Sequence, residues 1–141
     1  MSRRARIILW PLAGVALAAL LWAGFAPITL PSHDQLFEIP QGTYARRMKG
    51  DRVEILPSQI RLTLGLNNVL LLRNLDEVPQ VFGPTIMMPG QSFRLPFEKA
   101  SSYNFACTAH ASGQMTIEVE PEPVMPWQKI RWRWREWREK S

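Results

Sequence analysis

An uncharged stretch near the N-terminus most constrains what this chain can fold into. Residues 7–32 read IILWPLAGVALAALLWAGFAPITLPS and contain no charged side chain. About 20 apolar residues suffice to cross a bilayer as a helix. We therefore predict one transmembrane anchor over residues 7–30, preceded by a basic N-terminus over residues 1–6.

Basic residues set the predicted orientation of this anchor. Three arginines precede the run: Arg3, Arg4 and Arg6. Positive residues stay on the cytoplasmic side, so the rest of the chain would face the periplasm from a bacterial inner membrane. A cleaved signal peptide is the alternative, because Gly24-Phe25-Ala26 has small residues at a suitable spacing. Pro27 directly after that site disfavours cleavage, and the run is longer than a usual signal core.

The middle of the chain, residues 36–120, has a different pattern. No helical period is sustained over residues 36–119, where Gly, Pro and Asn separate short segments. IRLTL, QSFRLPF, SSYNFAC and MTIEVE alternate, and VLLLRN is predicted to be a more buried strand. Strands at this spacing are typical of an all-β sandwich or small barrel. A linker over residues 31–35 would join this domain to the anchor.

A Pro-rich connector over residues 121–126 leads to a basic tail over residues 127–141. Four apolar residues would share one face of a helix: Trp127, Ile130, Trp134 and Trp137. A basic amphipathic helix with tryptophans suits a membrane surface. Docking on the chain's own domain or on a partner is an alternative, as is disorder, and the alternation in RWRWR also allows a strand.

The net charge of +5 is unevenly distributed along the chain. The N-terminal arginines contribute +3, and the tail contributes +4 from six basic and two acidic residues, which leaves −2 for the middle. The basic composition therefore predicts two basic ends around a mildly acidic body. It does not predict a nucleic-acid partner.

The segment CTAHASGQM, residues 107–115, contains the chain's one cysteine, one of its two histidines and a methionine. Thiolate, imidazole and thioether groups are donors that copper prefers. A single cysteine excludes an internal disulfide and makes a metal or redox role a candidate. A buried structural cysteine is the alternative.

These segments resemble the cupredoxins, the small blue-copper proteins, over roughly residues 53–120. LPSQIRLTLG and VLLLRN are similar to early strands of the family, PGQSFRL to its Pro-Gly hairpin, and SSYNFAC to the strand that delivers the ligand cysteine. Cys107-x-x-His110 has the family's spacing. The resemblance implies a cupredoxin-like Greek-key β-sandwich that binds copper through Cys107 and His110.

Two positions depart from the family's pattern. Gln80 in NLDEVPQVF occupies the position of the first ligand histidine, and it is only a tentative ligand because an amide oxygen is neutral and hard. Met115 has the spacing of the axial ligand in plastocyanin-type loops, but the last strand follows it at once. Met115 is therefore either a ligand or a residue of that strand.

Three other residues carry donors that could complete a copper site. His33 is the other histidine, but it lies close to the anchor and would need an unusual path to the site. Met87 and Met88 follow Gln80, and thioethers there would favour Cu(I). Ordinary loop or core positions are the alternative for both methionines.

Two functions are consistent with these features. The first is a membrane-anchored periplasmic cupredoxin-like protein that binds copper, for electron transfer or Cu(I) handling, beside a membrane-bound redox or copper-enzyme complex. The second is a non-copper accessory or structural subunit of a membrane protein complex. We predict no enzyme activity, since the sequence has no Ser/His/Asp arrangement, and Asp76-Glu77 is predicted to be a solvated turn.

Overall fold

The computed structural model describes residues 3–52 and 54–141, with side chains from residue 10 onward. The predicted basic N-terminus, residues 1–6, therefore lies outside the described side chains. The chain forms two compact units, of which one comprises residues 1–29 and 123–141 and the other residues 30–122. The helices are α1 (Arg3–Phe25), α2 (Thr43–Met48) and α3 (Pro126–Lys140).

The β-unit, residues 30–122, contains the strands and α2. Its strands are β1 (Asp34–Ile39), β2 (Gln59–Thr63), β3 (Val69–Asn74), β4 (Gln80–Phe82), β5 (Thr85–Met87), β6 (Ser92–Pro96), β7 (Ser101–Ala106) and β8 (Gln114–Glu120). One sheet has the order β1-β3-β6 and another the order β2-β8-β7, while β4 and β5 form a hairpin. In each three-stranded sheet the central strand is parallel to one neighbour and antiparallel to the other.

A single core joins the inner faces of the two larger sheets. Leu70 and Leu72 of one sheet belong to the same buried cluster as Leu62 and Ile117 of the other. Alternate residues of each strand face this cluster, as in β8, where every second residue is buried. Two sheets that share one core in this way form a β-sandwich, so the predicted β-sandwich is confirmed.

The predicted segments match five of these strands, but the sequence missed β1, β4, β5 and the helix α2. The expectation that residues 36–119 contain no helix is therefore wrong at Thr43–Met48. A six-residue helix is too short to show a period. Its first turn is instead held by Asp76, which accepts hydrogen bonds from the backbone N–H groups of Gly42 and Tyr44. That carboxylate lies more than thirty positions away, which local propensity does not register.

The helical unit pairs the first helix with the last. α1 ends at Phe25, earlier than the predicted boundary at residue 30, because a helical conformation is disfavoured for the residue before Pro27. α3 begins at Pro126, where the missing N–H of proline costs nothing. Gly24 allows the close approach of the two helices, since a Cβ there would lie 3.1 Å from Cβ of Pro126.

Within the described part of the chain, no helix combines the length and the apolar character that crossing a membrane requires.

Candidate metal centre

The structure brings the four predicted ligands, Cys107, His110, Met115 and Gln80, to one end of the β-sandwich. Cys107 forms a β-bridge with Phe82, at the end of the strand that Gln80 begins. His33 lies at the opposite end, where its carbonyl accepts from Val69 at the start of β3. A six-residue strand spans roughly 20 Å, which agrees with the expectation that His33 would not reach the site.

The ligand loop, residues 107–115, comprises the compact turn between β7 and β8 and the first two residues of β8. The N–H of Cys107 donates to the carbonyl of Gly113 at 2.9 Å, and the N–H of His110 donates to the carbonyl of Cys107 at 3.3 Å. Gly113 has φ of +74°, a left-handed conformation in which a side chain would be strained. These backbone bonds hold the cysteine and the histidine in one short, rigid segment.

Cys107 is a buried thiol, with 2% of its surface exposed. Burial raises the pKa of Cys107 above its ordinary value, although the N–H groups of Ala109 and His110 and the charge of Arg47 act in the opposite direction. The thiol is therefore protonated at neutral pH. It would have to lose that proton to bind a metal, because the thiolate is the ligand.

Met115 lies inside β8 and is 1% exposed. It pairs with Phe105, two residues before Cys107 on the neighbouring strand. Residues opposite each other in an antiparallel pair share a face, and so do residues two apart on one strand. Met115 is thus both a core strand residue and a diagonal neighbour of Cys107 on the inner face.

His110 is buried, with 4% of its surface exposed, and both of its ring nitrogens face protein groups. Nδ1 accepts from the backbone N–H of Ser112 at 3.2 Å and lies 2.8 Å from Oγ of the same residue. Nε2 lies 2.7 Å from Oε2 of Glu54, in a close contact that lacks the geometry of a hydrogen bond. The bond to Nδ1 favours the tautomer that carries its proton on Nε2.

Gln80 is also buried and uses both ends of its amide. Oε1 accepts from Oγ1 of Thr108 at 2.8 Å, and Nε2 donates to Oδ2 of Asp76 at 3.2 Å. The same Thr108 oxygen accepts from the N–H of Val81. We call Asp76, Gln80 and Thr108 the amide bridge, since it joins the ligand loop to the turn after β3.

Asp76 is 4% exposed, which corrects the expectation that Asp76-Glu77 is a solvated turn. It accepts from the backbone N–H groups of Gly42, Tyr44 and Glu77 as well as from Gln80. Burial alone would raise the pKa of Asp76, but these four hydrogen bonds to the charged form lower it below its ordinary value. The position of Asp76, two residues after β3, is the one feature of the sequence that points to this role. No local residue pattern indicates that the carboxylate is buried.

Arg47 and the remaining methionines complete the surroundings of the loop. Nη2 of Arg47, on α2, donates to the carbonyl of Ala109 at 2.6 Å, so the short helix that the sequence missed covers the ligand loop. Met87 is buried in the same core cluster as Cys107 and Met115, whereas Met88 is half exposed. The described residues contain no group of three or more His, Cys, Asp or Glu side chains placed to hold a metal ion.

Comparison with known proteins returns cupredoxins among solved structures. A purple cupredoxin from Nitrosopumilus maritimus is 19% identical, with a TM-score of 0.46, over 62% of this chain and 100% of its own. Amicyanin from Paracoccus versutus is 16% identical, with a TM-score of 0.44, over 64% of this chain and 85% of its own. No protein-family model matches the sequence, and no curated protein matches it.

Proposed function

We propose that this chain is a membrane-anchored, periplasm-facing cupredoxin-like protein that binds Cu(I) at the ligand loop, for copper handling or electron transfer. One observation carries the proposal. The thiol of Cys107 and the thioether of Met115 lie on the same inner face, and the buried imidazole of His110 belongs to the same loop. Soft donors in a small set favour Cu(I) over Cu(II).

The chemistry of the donor set fits copper unevenly. Cys107 and Met115 are sulfur donors in an apolar core, and copper bound there would supply redox or carrier chemistry. His110 would have to give up Glu54 or Ser112 to bind a metal. Gln80 already has hydrogen-bond partners at both ends of its amide. It is therefore better suited to its place in the amide bridge than to being a fourth copper ligand.

The same contacts favour a second function, a non-copper accessory or structural subunit of a membrane protein complex. In the described structure the imidazole of His110 and the amide of Gln80 each have protein groups on both sides. The Gln80 amide is satisfied in this way without a metal, whereas Nε2 of His110 contacts Glu54 without a hydrogen bond. In that case the ligand loop serves only the structure of the sandwich, and the function of the chain is to bind a protein partner.

Copper titration of the full chain in mild detergent tests the first function. We expect Cu(I) to be taken from a chromophoric chelator at one equivalent per chain, and Cu(II) to give no strong blue band. Met88→Leu is a matched control, because that exposed methionine lies outside the core cluster and should leave the affinity unchanged. If neither ion binds, and a stoichiometric partner co-purifies from the native membrane without copper, the second function replaces the first.

Membrane anchorage is the other part of the proposal, and it rests on the uncharged run of residues 7–32 behind three arginines. Extraction of the native membrane with alkaline carbonate tests it, since an anchored chain stays in the pellet. Protease added to spheroplasts should remove the β-unit and leave the N-terminus protected. Release of the chain by carbonate would overturn the anchor without bearing on copper.

A further inference from the structure

The tail helix is fixed to the end of α1 by polar and apolar contacts. The guanidinium of Arg133 donates to the carbonyls of Ala23 at 2.6 Å, Ala26 at 3.0 Å and Pro27 at 3.1 Å. The Ala23 carbonyl lies in the last turn of α1, and those of Ala26 and Pro27 follow the helix directly. The last carbonyls of a helix lack partners and favour a cation. The same guanidinium lies 5.1 Å from the ring centroid of Trp22. The contacts hold α3 at the end of the uncharged run.

A different face of α3 is left exposed. Four residues at spacings i, i+4, i+7 and i+11 form what we call the Trp/Arg strip: Trp127, Arg131, Trp134 and Arg138. At 100° per residue these four lie within about 60° of one another around the helix. All four are exposed, with Trp127 at 55% and Trp134 at 60%. Indole and guanidinium groups therefore alternate along one narrow stripe.

The residues that fix α3 lie elsewhere on the helix. Pro126 and Ile130 face Gly24, and Arg133 faces the carbonyls of α1, on a face roughly 100° from the strip. The strip also shows an internal pairing, because the guanidinium of Arg131 lies 5.6 Å from the ring centroid of Trp127. Exposed indoles on a helix that is already docked are not explained by packing within the unit.

We infer that the Trp/Arg strip of α3 is a docking surface for an anionic lipid bilayer, held at the end of α1 by Arg133. The tail's charge of +4 complements anionic headgroups, and tryptophan rings favour the depth of the membrane interface. The position at the end of the uncharged run places the strip where a membrane surface would lie. This inference rests on the anchor of the proposed function. It goes beyond that function by naming the charge of the lipid and the face of α3 that binds it.

Hydrogen exchange of the full chain in lipid nanodiscs tests the strip. One set of discs contains phosphatidylcholine alone, and the other contains phosphatidylcholine with phosphatidylglycerol. We expect the backbone amides of residues 127–140 to exchange on the order of tenfold more slowly in the anionic discs, because each cation near an anionic surface adds to binding. The slowing should shrink as salt is added.

Two double variants that lose the same charge distinguish binding through the strip from a general electrostatic attraction between the tail and the lipid. Arg131→Gln with Arg138→Gln should remove most of the slowing. Lys129→Gln with Lys140→Gln removes the same charge from the roughly opposite side of the helix and should keep most of it. Equal loss in both variants would overturn the strip, and so would exchange that does not depend on phosphatidylglycerol.

Failure of the anchor gives a different result from failure of the strip. A chain that does not co-elute with nanodiscs lacks the anchor. The strip is then tested by sedimentation of the full chain with vesicles of the same two compositions. Binding to anionic vesicles supports the strip without the anchor, and absence of binding to both compositions overturns it.

Discussion

The amide bridge and the ligand loop lie at the same end of the sandwich but differ in how their donor and acceptor groups are paired. In the amide bridge, the carboxylate of Asp76 and both ends of the Gln80 amide have protein partners, and those partners tie three segments together. In the ligand loop, Cys107 and Met115 present sulfur to an apolar core. The difference indicates that the bridge contributes stability, while the loop carries the donors that a soft metal could use.

The largest expected effect is on the loop. Cys107→Ser should lower Cu(I) affinity on the order of 1000-fold, because an alcohol oxygen is a poor ligand for a soft ion and the thiolate is the main donor. Chelator competition measures the affinity, and the denaturation midpoint serves as a control for folding. A Cys107→Ser chain that binds Cu(I) as tightly as the natural one removes the loop from the metal hypothesis.

Asp76→Asn should act on stability instead, with a loss of about 3 kcal/mol. Asparagine keeps one acceptor oxygen but turns an NH₂ group toward the backbone N–H groups that the carboxylate now accepts from. Urea denaturation measures the loss. Glu77→Gln, at the exposed neighbouring position, is the matched control and should stay within about 0.5 kcal/mol. A change of similar size in both variants contradicts the special role of Asp76.

The same carboxylate predicts how stability depends on pH. Its folded pKa lies below the ordinary value of 3.8, so the stabilisation is fully present above pH 3.8 and is lost as the pH falls through the folded pKa. The difference in unfolding free energy between the natural chain and Asp76→Asn should therefore be constant near neutral pH and shrink in acid. A constant difference down to pH 2 would show that the carboxylate is not the cause.

Gln80→Leu should separate the bridge from the loop. Removal of the amide leaves Asp76 and Thr108 each without one partner, at a cost of about 1–2 kcal/mol. If the amide is not a copper ligand, Cu(I) affinity should change less than threefold, a smaller effect than that of Cys107→Ser. A fall in affinity as large as that of the cysteine variant would make Gln80 a ligand after all.

Met115→Leu should cause a smaller loss of stability than Gln80→Leu. A swap of similar volume in a core costs about 1 kcal/mol or less. Loss of the thioether should lower Cu(I) affinity by about tenfold, since one soft donor of three is removed. Chelator competition and urea denaturation on the same preparation separate the two effects. An unchanged affinity would leave Met115 as a strand residue only.

The sequence predicted the strands better than it predicted the site. Period-2 alternation in IRLTL and MTIEVE located β2 and β8 because one face of each strand is buried. The same alternation could not decide whether Met115 is a ligand, since a core residue and an axial donor share that face. Asp76 looked like a turn residue because its partners in α2 lie more than thirty positions earlier. Long-range polar contacts of this kind produce no periodic pattern in the sequence.

The contact between Arg133 and the carbonyl of Ala23 joins positions that are 110 residues apart. During synthesis the carbonyls at the end of α1 are formed long before residue 133 is added. They therefore have no cation from α3 until that residue has emerged. A chain that stops at residue 132 would keep the apolar contacts of Pro126 and Ile130 with Gly24 but would lack this polar contact between the two helices.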